Sequence, residues 1–349
     1  MALRLGIIGL GRIGRGVLRA NFAQIVGGRF NLCVISDVMP IDQVAYLLEN
    51  DSTYGKPPFS LECIGDDLIL GGKKVHYVRG DRRRGLTESE SFNALRALNL
   101  DVILDATGTA SLADLQMLID QHISKKTLCT SNIAGIDLSL IFGVNDHEYN
   151  PEQHHIISAS TCTGNAFIPV AAILDKHIGI NFAHIVTIHP ALSDQRVLDG
   201  YHAIPQLGRT CAASIVPTST NVDKSATLVL PSLIGKLSSI SYRVPTAIVS
   251  AMDIALTLSR DTSREECTEL FEQYAKTSLA GIIHCEYGSW GHQRVSIDYI
   301  GSEYSSIILM NHLEVVNGRH LNMSLMHDNE QAYCYRVLDT LGVISQRMA

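Results

Sequence analysis

The sequence predicts an α/β protein in two parts: a doubly wound parallel sheet, then an α+β domain built on a mixed or antiparallel sheet. Three observations predict it. Short apolar runs alternate with helix-like segments through the first half of the chain. A glycine-rich loop, Gly9-Leu10-Gly11-Arg12-Ile13-Gly14, stands between the first apolar run and the first helical one. From His177 onward the runs lengthen and become rich in β-formers. At 349 residues the chain is long enough for two such domains.

The elements follow in order. Leu5 to Ile8 reads as a buried strand and Ile13 to Ile25 as a helix. Leu32 to Ile35 is a second strand and Ile41 to Glu49 a second helix. Leu61 to Val78 holds Gly65-Asp66-Asp67 and Gly71-Gly72, the turn signals of an antiparallel insertion. Asp101 to Asp105 returns to a buried strand, with a helix from about Ala110 to His122. Nearly continuous apolar strands in repeated βαβ units imply a parallel sheet with both faces covered. In the second half, β-rich runs cover Phe182 to His189, Ile240 to Leu258 and Ser306 to Val316, with a helix near Ser263 to Ala275. The boundary falls near Ile156 to Thr161. Cys334, Val337, Leu338, Leu341 and Ile344 share one helical face, so the chain ends in a packed helix.

Composition removes several function classes. The formal charge is -7, so no basic footprint argues for nucleic acid or an anionic membrane as partner. The eight Cys are scattered with no CxxC pair, which argues against a zinc site or a disulfide framework and fits a reducing compartment. Arg4 and the early glycines break the pattern of a signal peptide, and no run has the length of a membrane span. The expectation is a cytoplasmic protein with no metal.

The glycine loop follows a strand and opens a helix, the context in which GxGxxG becomes a specific dinucleotide signal. Its glycines permit the tight turn and let backbone approach a pyrophosphate at the helix N-terminus. Asp37 ends the second strand about twenty residues on, where a carboxylate accepts from the two ribose hydroxyls and repels a 2′-phosphate. That favours NAD over NADP. The blander role for Asp37 is a turn or N-cap residue. The Arg82-Arg83-Arg84 run reads as a solvated loop, with a place near the adenine end of the cofactor as its other reading.

Cys162 sits among small hydroxyl residues in Ser158-Ala159-Ser160-Thr161-Cys162-Thr163-Gly164-Asn165, and His189 ends the apolar run Ile185 to Ile188. A thiolate attacks aldehydes, and a nearby imidazole lowers the thiol pKa and then handles a proton. By spacing alone each has a duller alternative: an inert buried thiol, and one strand-end histidine among fourteen. Hydroxyl residues before Cys162 suggest a helix start there, whereas Pro169 suggests that regular helix begins only shortly before it or bends at it.

With these residues in view the chain resembles the glyceraldehyde-3-phosphate dehydrogenase family. Gly6 to Arg15 and Ser158 to Pro169 resemble its cofactor and nucleophile motifs. So do Asp51-Ser52-Thr53-Tyr54-Gly55, Gly143-Val144-Asn145, Arg243-Val244-Pro245-Thr246 and Asp328-Asn329-Glu330, in the right order across nearly the whole chain. One segment, His189 to His202, looks closest to the erythrose-4-phosphate dehydrogenase branch. The resemblance implies a Rossmann NAD-binding domain (1–160), a catalytic domain (161–327), and a C-terminal helix (328–349) packing back on the first domain. It implies an NAD-dependent oxidation of a phosphorylated aldehyde by a homotetramer. Cys162 takes the place of the nucleophile and His189 that of the base. Gly9, Gly11, Arg12, Ile13, Gly14 and Asp37 fall on the cofactor, and Asn329 on its nicotinamide. Thr161, Thr163, Thr220 and Arg243 fall on the phosphate-recognising positions.

The departures gather around substrate and nicotinamide. Ile8 stands where the family has Asn, Gly164 where it has Thr, Asn221 where it has Gly, and Gln331-Ala332 where it has Trp-Gly. Thr210 to Pro217 reads as shorter than in the family, with Arg209 or Cys211 where an anion-binding Arg is expected. That tilts the second step toward water or an unusual acceptor instead of phosphate. Two other readings stay open: a dehydrogenase for a different modified aldehyde, and a non-catalytic relative that only binds NAD.

Overall fold

The computed structural model of the chain describes residues 3–23, 28–80 and 95–348. The Arg82-Arg83-Arg84 run and the end of the helix expected to reach Ile25 lie outside them. The chain divides into two compact units, Met1–Ser160 with Cys334–Ala349, and Thr161–Tyr333.

The first unit is built on nine strands, and the expected Rossmann topology is present. β1 (Arg4–Ile8) leads into α1 (Arg12–Ala23), β2 (Asn31–Asp37) and α2 (Ile41–Glu49). The antiparallel insertion is β3 (Leu61–Ile64), β4 (Asp67–Leu70) and β5 (Lys73–Arg79), turning at Gly65, Gly71 and Gly72 in the left-handed region. β6 (Leu100–Asp105), α3 (Leu112–Asp120), β7 (Ser124–Cys129), β8 (Leu138–Ser139) and β9 (Ile156–Ser158) complete the unit. The strand order is β3-β4-β5-β2-β1-β6-β7-β9-β8, with β2, β1, β6, β7 and β9 mutually parallel. The chain steps from β1 to one side for β2 and later to the other side for β6. The glycine loop lies at that reversal, outside the carboxyl ends of the strands, where open α/β sheets bind ligands.

The second unit opens with α4 (Cys162–His177). Its helix begins at Cys162 itself, as the hydroxyl-rich lead-in suggests, and carries Pro169 inside, seven residues on, instead of starting shortly before it. Thr161 explains the start: its backbone is extended and its side chain accepts from Gly164 N–H at 3.0 Å, replacing a bond the first turn cannot make internally. Then come β10 (Ile180–Pro190), β11 (Val216–Thr218) and α5 (Val222–Val229). β12 (Leu237–Val244) and β13 (Ser250–Leu258) divide the run expected over Ile240 to Leu258, because Pro245 ends one strand and the chain turns through positive φ at Val249. After α6 (Arg264–Lys276) come β14 (Ile283–Glu286), β15 (Ser306–Leu309), β16 (Glu314–Val316) and β17 (His320–His327). The mixed sheet is ordered β11-β12-β10-β13-β17-β15-β14, with β16 on β17. On β10 the residues Ala183, Ile185, Thr187 and His189 are buried, while Phe182 and Ile188 on the opposite face are exposed.

The final helix, α7 (Gln331–Met348), starts in the second unit and belongs to the first from Cys334. Cys334, Val337, Leu338, Leu341 and Ile344 are all buried. Cys334 Sγ donates to the Ile13 carbonyl at 3.6 Å and lies where a Cβ on Gly16 would approach to 2.6 Å, so only glycine on α1 admits this contact. Arg29 pairs with Asp339 at 3.0 Å, and Arg347 donates to the His147 carbonyl at 3.1 Å.

Candidate active site

In the first unit the glycine loop is held by its own tight turn. Gly9 has φ +90 and donates its N–H to Ser36 O at 2.8 Å. A Cβ on Gly14 would lie 1.9 Å from Gly9 O, so α1 sits against the loop at a distance only glycine allows. A Cβ on Gly11 would meet nothing within 4 Å, which leaves its backbone open to a ligand. Arg12 and Ile13 begin α1, where the first N–H groups have no acceptor within the helix. The Arg12 side chain is turned aside, paired with Asp51 at 2.7 Å. Asp37, expected at the ribose, accepts from Leu10 N–H at 2.5 Å and from Met39 N–H at 3.0 Å, so it braces the loop. An open Gly11, a helix N-terminus and a carboxylate at the strand end fit a dinucleotide.

The unit also has a cavity of about 990 Å³ that contains none of these groups. Its walls include Arg4, Asn31, Leu100, Ser124 and His155, at the amino ends of the parallel strands, the end that ligands of such sheets do not use.

In the second unit Cys162 occupies the first position of α4, half-buried. Thr161 Oγ1 and Thr163 Oγ1 are 3.2 Å apart, and Asn165 Nδ2 donates to Thr161 O at 3.0 Å, so the cap turn is closed from both sides. Burial pushes the Cys162 thiol up; the Thr163 N–H and the Arg243 charge pull it down, and Glu330 pushes with burial.

His189 on β10 is paired in register with Arg243 on β12. Ile188 pairs with Ala251, and continuing that register by one residue sets His189 opposite Ser250, which in turn pairs with His327. Residues opposite one another across strands share a face. Arg243, His189, Ser250 and His327 thus form one row across four strands. His189 is 7 % exposed, Ser250 0 % and His327 1 %. His189 Nδ1 lies 2.9 Å from the Pro190 carbonyl and 2.5 Å from Arg243 Nη1. Burial first, then the Arg243 charge, lowers His189 to about 4 against the opposing Pro190 carbonyl. Burial, with His189 beside it, lowers His327 to about 3. Both imidazoles are therefore neutral near pH 7.

Arg243 is the charged neighbour that Cys162 and His189 share. It forms no ion pair among the described residues, lies in the field of Asp194, and its Nε has no hydrogen-bond partner. Thr220 precedes α5 and accepts weakly from Val222 N–H at 3.4 Å. Asn329, expected at the nicotinamide, accepts from Val249 N–H at 3.0 Å. Arg209 is exposed and pairs with Asp199 at 3.0 Å. The structure adds His327 to the row and shows the motif residue Ser160 in a left-handed conformation. Ser160, buried with φ +60, gives no sequence signal, because serine does not mark a left-handed position. His327 had one: it adjoins Asp328-Asn329-Glu330. Among the described residues no cluster of His, Cys, Asp and Glu has the geometry of a metal site.

Comparison with known proteins gives the same family on both units. The description "Glyceraldehyde 3-phosphate dehydrogenase, NAD binding domain" matches residues 3–112, and "Glyceraldehyde 3-phosphate dehydrogenase, C-terminal domain" matches residues 161–329. The chain is 34% identical to glyceraldehyde-3-phosphate dehydrogenase of Kitasatospora aureofaciens over 99% of both chains. It is 31% identical to that of Geobacillus stearothermophilus, again over 99% of both. It is 32% identical to that of Chlamydia pneumoniae over the same share.

Proposed function

The chain belongs to the glyceraldehyde-3-phosphate dehydrogenase family and is an NAD-dependent sugar-phosphate dehydrogenase, and from that premise we propose that it oxidises glyceraldehyde 3-phosphate or erythrose 4-phosphate through a thioester on Cys162. The observation that carries this reading is the placement of Cys162 at a helix start, with Arg243 as the charge acting on both Cys162 and His189.

In this reading Gly9, Gly11, the first-turn N–H groups of Arg12 and Ile13, and Gly14 hold the pyrophosphate, and Asp37 the ribose. Asn329 keeps the nicotinamide role that the resemblance implies. Bound NAD supplies the hydride acceptor. The Cys162 thiol gives its proton to His189 as Sγ bonds to the aldehyde carbon, the backbone N–H of the first α4 turn holds the developing oxyanion, and that oxygen takes the proton back to give a thiohemiacetal. His189 accepts the hydroxyl proton as the carbon is oxidised, leaving the thioester. Thr161, Thr163, Thr220 and Arg243 hold phosphate oxygens. Phosphate or water then cleaves the C–S bond and returns the thiol. The pairing of Arg209 with Asp199 supports water or an unusual acceptor in this last step, since that guanidinium is already engaged.

The chain acts as a homotetramer in the cytoplasm in this reading; no helix among the described residues is long and apolar enough to cross a membrane. The test is NADH formation with each aldehyde, with and without inorganic phosphate. Turnover of the three-carbon substrate only with phosphate makes the enzyme phosphorylating. Phosphate-independent turnover of the four-carbon substrate supports the erythrose-phosphate branch and hydrolysis. Silence with both overturns the substrate assignment.

A further inference from the structure

The contact between Arg243 and His189 sets two demands on one atom. Nδ1 of His189 has Arg243 Nη1 at 2.5 Å and the Pro190 carbonyl at 2.9 Å. A guanidinium is donor only and always charged, so it bonds to Nδ1 only where Nδ1 carries a lone pair. A carbonyl accepts only, so it bonds to Nδ1 only where Nδ1 carries a proton. A neutral imidazole meets one demand at a time. In the first state the proton is on Nε2, Nδ1 is covered by Arg243, and the ring has no lone pair to offer a substrate. In the second the proton is on Nδ1 and Nε2 is a base.

We infer that Arg243 sets the tautomer of His189, and that an anion bound by Arg243 switches the ring from its blocked to its basic form. The inference rests on the proposed catalytic and phosphate-binding roles of His189 and Arg243 and adds their coupling. Phosphate oxygens are stronger acceptors for a guanidinium than a neutral ring nitrogen. Arg243 has a donor to give them: its buried Nε has no hydrogen-bond partner, and Asp194 acts on the guanidinium through its field. Once the guanidinium turns to the anion, Nδ1 takes a proton from solvent and donates to Pro190 O, while Nε2 gives one up. The exchange is neutral in protons and involves no electron transfer. The base is thus armed only when the phosphate end of a substrate is in place. For this proton step Arg243 is a positioning residue.

Nitrogen NMR of the full-length protein carrying isotope-labelled histidine tests the coupling, with inorganic phosphate as the probe and His189→Asn to assign the signal. The expected result is an Nε2–H ring without phosphate that converts to Nδ1–H in step with phosphate binding followed by phosphorus NMR. Arg243→Met, which keeps length and removes every donor, is expected to show Nδ1–H with no phosphate; Arg243→Lys is expected to restore the phosphate dependence. A tautomer unchanged at phosphate saturation, an absence of phosphate binding, or Nε2–H persisting in Arg243→Met overturns the inference. Should Arg243→Met not fold, the wild-type titration decides alone. Aldehyde turnover on the same preparation separates the two readings. Turnover with an unchanged tautomer overturns the switch alone, and a tautomer switch without turnover overturns the proposed reaction alone.

Discussion

At the scale of single residues, Cys162 and His189 are two titratable groups held uncharged beside the Arg243 charge. Burial raises the Cys162 thiol and lowers His189 to about 4, which keeps thiol and imidazole neutral at pH 7. Removing the nucleophile is expected to lower turnover by about 10³-fold or more while NAD binding survives. Cys162→Ser, assayed by NADH formation and by cofactor titration, checks this; substantial residual turnover sinks the covalent route. The buried imidazoles also contribute to the loss of stability in acid, beside carboxylates held low such as Asp51 and Asp101. Their folded pKa values, about 4 for His189 and about 3 for His327, lie below the ordinary value near 6.5. The unfolded chain therefore binds protons first as pH falls, and stability present above pH 6.5 is lost on the way down. Each imidazole costs about 1.4 kcal/mol per pH unit until its folded pKa is passed. Melting temperature is expected to fall between pH 6.5 and pH 4, and His327→Gln to flatten that decline. An unchanged acid slope in the variant means that His327 is not the buried neutral group described.

At the scale of elements, the two functional ends are made by helix starts against strand ends. α1 meets the β1 turn through Gly14, where a Cβ would stand 1.9 Å from a carbonyl. Gly14→Ala is expected to abolish NAD binding and to destabilise the fold by about 1–3 kcal/mol, the scale of core overpacking. Cofactor titration and thermal melts measure both, and intact NAD binding in that variant removes the close approach from the explanation. This element was legible in the sequence because glycine spacing is itself the geometric constraint. The hairpins at Gly65 and Gly71-Gly72 were legible for the same reason. β7 was not: Ser124-Lys125-Lys126-Thr127 reads as surface, yet Lys126 is buried with its Nζ donating to the Pro151 and His154 carbonyls. Those acceptors come from residues far along the chain, so no local pattern announces them. The α4 start was only half legible. Thr161 announces a cap, but Pro169 misdirects, since a proline inside a helix removes one bond without ending it when the helix is packed. The row of Arg243, His189, Ser250 and His327 depends on register across four strands, and register is a tertiary property.

At the scale of the whole molecule, the second unit leaves one face of its sheet uncovered. Phe182 and Ile188 on β10 are 46% and 39% exposed, on the face opposite His189. Ile188 pairs with Tyr242 on β12 and with Ala251 on β13, so the apolar row crosses three strands. On this face Val186 stands opposite the exposed Asp253, so the apolar residues Phe182, Ile188 and Tyr242 surround one carboxylate, and they are the surface a second copy would cover. In the proposed homotetramer, like faces of this kind would meet about a two-fold axis. A charge placed at the centre of such a contact meets its own image and loses solvent. Phe182→Asp combined with Ile188→Asp is therefore expected to halve the particle mass, or reduce it to that of one chain, in sedimentation, while circular dichroism stays that of the folded protein. The row of Arg243, His189, Ser250 and His327 lies on the other side of the sheet, so the dissociated species is expected to keep the Cys162 alkylation rate of the intact protein. An unchanged mass in the double variant means that this face is not where the copies meet.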